Sequence, residues 1–226
     1  MKSKIFQFEN IKPFIKGIFL VCLFIFILLS VYVIAEPPQY LDIHISKEIQ
    51  ENQNVFINNI MIGISGLGRT AISLIIVVLL SLFFMLKKYK KEALLMISTL
   101  FSGILGLALK ILINRPRPSK EFVILLEDTH YQSFPSGHVL FYTVFFGSLI
   151  LIILTNDVLQ NRIKIVLASI CLLMIFMGAV SRVYLGAHWF TDVLGGFILG
   201  IMFLCVTGYY YLKNSQINEN YNHSIK

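Results

Sequence analysis

Six stretches of this chain, residues 17–35, 70–86, 93–109, 139–156, 165–181 and 193–212, contain no charged side chain and consist almost wholly of apolar ones. Each is close to the roughly 20 residues that an α-helix needs to cross about 30 Å of hydrocarbon. No water satisfies backbone groups there, so a spanning segment must bond to itself or close into a barrel. The runs are too long for barrel strands and lack their apolar–polar alternation. The fold class they predict is all-α, a polytopic membrane protein with six transmembrane helices. With 57% hydrophobic and 14% charged residues among 226, little chain is left for a soluble domain. We expect one six-helix domain over residues 1–213, with a short cytoplasmic N-terminal segment, and a disordered cytoplasmic tail over 214–226. Disordered, collagenous and disulfide-scaffold classes are excluded by the same composition. Cys22, Cys171 and Cys205 all lie in apolar runs and are odd in number, so no disulfide is expected.

The first run follows Lys2, Lys4, Lys12 and Lys16 and mimics a secretory signal. Its apolar stretch is longer than a signal core and no small-residue cleavage site follows, which makes it a retained anchor. Residues 36–54 are polar, carry Glu36, Asp42, Glu48 and Glu51, and open on Pro37 and Pro38, which stop the preceding helix. They read as a surface loop or an interfacial helix. Residues 55–68 either prolong the second span or, through Gly63, Gly66 and Gly68, bend just before Arg69. With six spans, the side holding both termini carries twelve basic and four acidic residues, net +8, and the other side seven basic and eight acidic, net −1. The excess of Lys and Arg puts both termini in the cytoplasm of a multi-pass plasma-membrane protein. The overall charge of +7 is scattered in short groups between apolar runs, so nucleic acid is not an expected partner. No internal repeat suggests a transporter built from two halves.

Three polar clusters interrupt the pattern, and all fall at the outer ends of spans in this topology. They span residues 110–118, 135–138 and 181–192. A lone lysine at a span end ordinarily snorkels to the headgroups; convergence of three clusters is what points to a site. Together they offer Lys110, Arg117 and Arg182 as cations, Ser136 and the Gly137 amide as hydrogen-bond donors, and His138, His188 and Asp192 as titrating groups. This inventory suits phosphate. Arginine grips its oxygens with forked bonds, lysine adds a point charge, and first-turn amides of a helix opening at Ser136–Gly137 bind anions, although such a pair alone is ordinarily a plain cap. His188 and Asp192 are four apart, so on a helix the carboxylate holds one imidazole nitrogen and leaves the other free. His44, His130 and His223 have no companion at a useful spacing and receive no role. Two histidines and one aspartate among three cations make a poor metal site, since the cations repel a divalent ion; no metal and no other cofactor is expected.

Residues 110–118 read KILINRPRP, 135–138 read PSGH and 181–192 read SRVYLGAHWFTD. This set resembles the three-part pattern of the type 2 phosphatidic acid phosphatase family: a lysine separated by six residues from Arg-Pro, then Pro-Ser-Gly-His, then Ser-Arg followed at fixed spacing by His and Asp. Every fixed position matches, in the family's order. The resemblance implies six helices, an extracytoplasmic active site and metal-independent hydrolysis of a membrane lipid phosphate. It is nearest to the compact bacterial members acting on phosphatidylglycerol phosphate or undecaprenyl pyrophosphate. It further implies that His188 is the nucleophile and forms a phosphohistidine, that Asp192 orients it, and that His138 is the general acid and then base. Lys110, Arg117, Pro118, Ser136, Gly137, Ser181 and Arg182 would form the phosphate-binding set. A soluble vanadate-dependent haloperoxidase family shares these residues but conflicts with six apolar spans. Two other readings stay open at this point: a phosphatidic acid phosphatase of broad specificity, and a transporter that binds a phosphorylated lipid without hydrolysing it, for which the His188–Asp192 pairing would be surplus.

Overall fold

The computed structural model describes residues 8–35, 40–127, 129 and 131–224, with residues 8–10 and 214–224 described as backbone alone. The lysines at positions 2 and 4, Glu36, Pro37, Pro38 and His130 lie outside the described residues. Among the described residues there are eight helices and no strand: α1 (Phe8–Ala35), α2 (Tyr40–Gln50), α3 (Val55–Gly66), α4 (Thr70–Leu86), α5 (Lys90–Ile113), α6 (Gly137–Thr155), α7 (Asn161–Tyr184) and α8 (Phe190–Ser224). Five of them, α1 and α5 to α8, are long and apolar enough to cross a membrane. The pair α3 and α4 meets at 54° and, counted as one broken span, makes the sixth.

The packing is inside-out relative to a soluble bundle. Phe24, Leu28, Val31, Leu79 and Leu172 point outward, while Ser73, Ser81, Thr99, Ser102 and Ser148 are buried. Lipid offers no hydrophobic reason for helices to associate, so small side chains that permit close approach occupy the interfaces. The buried hydroxyls of Thr99 and Ser102 donate back to carbonyls three residues earlier, at 2.7 and 2.6 Å. Larger side chains fill two layers: Val77, Leu95, Met96, Phe145, Ile152 and Tyr211 at one end of the bundle, and Phe26, Val33, Phe134, Leu140 and Leu199 toward the other.

Two local features set up that second end. The segment before α4 is bent rather than continuous, which decides between the two readings of residues 55–68. At the corner Gly68 lies so close to α6 that an added Cβ would stand 2.5 Å from His138 Cδ2 and 2.8 Å from Tyr142 Cε2. The polar segment after α1 forms α2, and its inward face is polar: Asp42, Ser46 and Gln50, spaced by one helical turn, are all buried. This helix packs on α7 and α8, so of the two readings the loop is excluded over residues 40–50 and a helix forms. Gln50 closes onto the connection between α5 and α6, accepting from the Ile124 N–H at 3.0 Å and donating to the Ile124 carbonyl at 2.8 Å.

Candidate active site

The last turn of α5, the first turns of α6 and α8, the end of α7 and the 114–136 connection gather at this end. Asn114 adopts a left-handed conformation, its N–H closing on the Lys110 carbonyl, and ends α5. The chain then turns back over the bundle, fastened by the Ser133 N–H to the Arg115 carbonyl at 2.9 Å and the Leu126 N–H to the Leu185 carbonyl at 3.0 Å. Between α7 and α8, Gly186 has φ +67°, and a Cβ there would meet the Ile124 carbonyl at 2.2 Å. Only glycine fits that turn, which delivers His188.

His188 is 2% exposed. Its Nδ1 faces Asp192 Oδ2 at 3.4 Å and Ser133 Oγ at 3.4 Å, while its Nε2 faces Arg117 Nη1 at 3.3 Å. An anionic carboxylate on the Nδ1 side favours the Nδ1–H tautomer and leaves the Nε2 lone pair free. Burial first, then the charges of Arg117, Lys110 and Arg182, hold His188 well below the usual histidine value. The ring is therefore neutral at neutral pH. Arg117 also donates to the Ala187 carbonyl at 2.6 Å and, through Nε, to the Tyr131 carbonyl. Burial and then the Arg182 charge push its guanidinium down to about 10, which still leaves it protonated.

Lys110 donates to the carbonyls of Gln132 and Ser133 at 2.6 and 3.2 Å, and its Cε would lie 3.8 Å from a Cβ on Gly137. Ser136 occupies the N-cap position of α6, and its N–H donates to the Asp192 carbonyl at 2.9 Å, tying α6 to α8. Its side chain makes no cap bond, and both Ser136 Oγ and His138 Nε2 are buried without a hydrogen-bond partner. Arg182 donates to Ser65 Oγ, and to Glu127 Oε2 at 2.7 Å. Beside that carboxylate a cavity of about 430 Å³ is lined by Ile62, Arg69, Leu126 and Glu127.

Eight of the ten residues expected from sequence thus gather at this end, Lys110, Ser136, Arg182, His188 and Asp192 buried and Arg117, Gly137 and His138 half-buried. The other two differ. Ser181 is fully buried in α7 and donates to the Gly178 carbonyl at 2.8 Å, a bond within its own helix. Pro118 is buried and, as a proline, has no N–H to offer an anion. Among the described residues no three His, Cys, Asp or Glu side chains gather so as to hold a metal ion. His44 is stacked on Tyr40 and pairs with Glu48, away from the site.

Sequence reasoning missed the shell behind Asp192. Arg115 is 2% exposed and forks between Asp192 Oδ1 at 2.5 Å and Asp42 Oδ2 at 2.6 Å. Asp42 further accepts from the Thr191 N–H and hydroxyl, both at 2.8 Å. Asp192 Oδ2 accepts from the Trp189 N–H at 2.8 Å and from Ser133 Oγ. Also missed were Ser65 and Glu127, the partners of Arg182. The only sequence signal for Arg115 was a second Arg-Pro pair directly before Arg117-Pro118; Asp42 had none.

Comparison with known proteins agrees with this architecture. Phosphatidylglycerophosphatase B of Bacillus subtilis is 31% identical over 188 residues, covering 81% of this chain and 90% of that protein. The undecaprenyl-diphosphatase of Sulfolobus acidocaldarius is 29% identical over 196 residues, 82% of this chain and 88% of its own. The crystal structure of the PAP2-type phosphatidylglycerolphosphate phosphatase of Bacillus subtilis superposes with a TM-score of 0.76 at 25% identity, covering 88% of this chain and 96% of that one. The structure of Aquifex aeolicus LpxE gives 0.60 at 25% identity, over 78% and 97%. Residues 91–216, which run from the start of α5 through every polar cluster above, match the PAP2 superfamily, and the chain belongs to it.

Proposed function

We propose that this protein hydrolyses a phosphate ester or anhydride of a membrane lipid at the extracytoplasmic face, through a phosphohistidine on His188 and with no metal. The observation that carries the reading is the orientation of His188, whose Nδ1 is turned to Asp192 and whose Nε2 opens toward Arg117 among three cations. A neutral imidazole with a free lone pair is a nucleophile, and the cations around it supply positive charge for a phosphoryl group's equatorial oxygens. Nε2 attacks phosphorus, the bond to the leaving oxygen breaks, and His138 supplies that oxygen's proton. His138 then takes a proton from water, which attacks the phosphohistidine; the P–N bond breaks and phosphate leaves. Asp192 supports the positive charge on the ring while the adduct exists. The names of the two relatives make phosphatidylglycerol phosphate and undecaprenyl diphosphate the first substrates to try.

Phosphate release by purified protein, measured with EDTA present on those two lipids and on phosphatidic acid, tests this reading. Turnover should persist in the chelator on at least one lipid and be blocked by vanadate, which adopts the five-coordinate geometry of the transition state. An acid-labile phosphoenzyme should form on mixing. Activity that appears only with added divalent metal would overturn the metal-free mechanism.

Sidedness has its own check. Lys120, on the connection over the site, and Lys90, at the far end of the bundle, are both exposed. In a variant without native cysteines, Lys120→Cys should react with an impermeant maleimide in intact cells, and Lys90→Cys should react only after permeabilisation. The opposite pattern would put the site in the cytoplasm.

A further inference from the structure

The described residues behind His188 hold a second carboxylate, Asp42, that the reaction itself does not touch. It sits at 0% exposure on α2, the short helix after the first span. Burying a charge this completely is costly unless it is fully paired, and here its partners lead to Asp192: Arg115 Nη2 at 2.6 Å, Thr191 N–H and Thr191 Oγ1 at 2.8 Å. Thr191 Oγ1 in turn accepts from Arg115 Nη1 at 2.7 Å, and the same Nη1 reaches Asp192 Oδ1 at 2.5 Å.

From this arrangement we infer that Asp42 is a positioning residue for phosphoryl transfer, acting through Arg115 on Asp192; the inference rests on the nucleophilic role proposed for His188. The argument has two parts. A guanidinium prefers to meet one carboxylate with two parallel bonds. Arg115 meets Asp192 with one nitrogen only, because its other terminal nitrogen is held by Asp42. Asp192 Oδ2 is thereby left to Trp189 N–H, Ser133 Oγ and His188 Nδ1. Without the Asp42 charge, Arg115 is free to close on both oxygens of Asp192 and compete with the imidazole for Oδ2. The second part is charge. Two carboxylates share one guanidinium, so the cluster carries net −1 toward His188. A lone Arg115–Asp192 pair would be neutral. The excess negative charge is what supports the cationic ring while phosphorus is attached to Nε2.

The test uses the full-length protein in detergent or nanodiscs. Asp42→Asn keeps the shape and can still accept from the Thr191 N–H, but it loses the charge. Loss of a residue that orients a ligand of a metal centre lowers activity about 10- to 100-fold, and a residue orienting the partner of a nucleophile is expected to act on the same scale. Asp42→Asn should lower kcat by that factor with KM unchanged, and single-turnover mixing should show the loss in the rate of phosphoenzyme formation. A merely structural role would change the melting temperature and the yield of folded protein, and leave kcat per folded molecule at its wild-type value. That result, or a rise in KM with kcat intact, would overturn the inference. Should Asp42→Asn not fold, Thr191→Val serves instead. It removes only the hydroxyl between Arg115 and Asp42 and is expected to lower kcat with KM unchanged; wild-type kcat in this variant would equally overturn the idea. If the wild type turns over with no acid-labile phosphoenzyme, it is the His188 mechanism that fails; a phosphoenzyme that forms at the wild-type rate in Asp42→Asn fails the Asp42 assignment alone.

Discussion

Replacing His188 by alanine should reduce kcat by roughly three orders of magnitude or more while the protein still inserts and folds. Insertion is governed by the apolar spans, none of which the change touches. The imidazole is buried, so some stability will be lost with its packing, and turnover must be expressed per folded molecule. No neighbouring group can replace the nucleophile. Ser133 and Asp192 lie on the Nδ1 side of the ring, and the side facing Arg117 is lined by cations. Acid-labile phosphoenzyme should disappear together with turnover. Retention of more than a few per cent of wild-type kcat would show that phosphorus is attacked by something else, such as water activated by His138.

Arg117→Ala has the second-largest expected effect and a distinctive pH dependence. Its Nη1 is 3.3 Å from His188 Nε2, within reach of the oxygens of a phosphoryl group attacked by that nitrogen under the proposed mechanism. Losing a preorganised donor of that kind costs about 10²- to 10³-fold in rate. The same charge is, after burial, the largest influence holding His188 below its ordinary value. In the wild type, therefore, the acid limb of kcat/KM that reports protonation of His188 lies well below about pH 6.5. Removing the Arg117 charge raises the affinity of His188 for a proton, so the limb moves to higher pH, though only part of the way because burial remains. Arg117→Lys separates the two effects, since it keeps the charge and loses the fork. Its rate should fall with the limb nearly in place. An acid limb at the same pH in wild type and Arg117→Ala would show that Arg117 does not act on the nucleophile.

The spans and the polar residues that gather at one end of the bundle were legible in the sequence, and each for a local reason. Transfer of a segment into hydrocarbon depends on the composition of about 20 consecutive residues, so charge-free runs announce helices without reference to the rest of the fold. The three polar clusters stood out because ionisable groups at span ends are expensive wherever the chain goes next, and the family pattern gave them roles. The spacing of His188 and Asp192 on one helical turn was also a local fact, and the structure keeps the two facing each other. What lay beyond the sequence was the choice of partner for each buried polar group. Residues 55–68 allowed both a straight and a bent span, and the choice was made by α6, against which Gly68 closes with no room for a side chain. Asp42 looked like one of four acids in a polar loop, yet it is 73 positions from Arg115 and 149 from Thr191. Ser181 looked like a ligand of phosphate, yet its hydroxyl turns back to Gly178. Hydropathy is a property of a segment and can be summed along it. Satisfaction of a buried charge is a property of a pair, and in this protein the pairs come from helices that meet only when the bundle has formed.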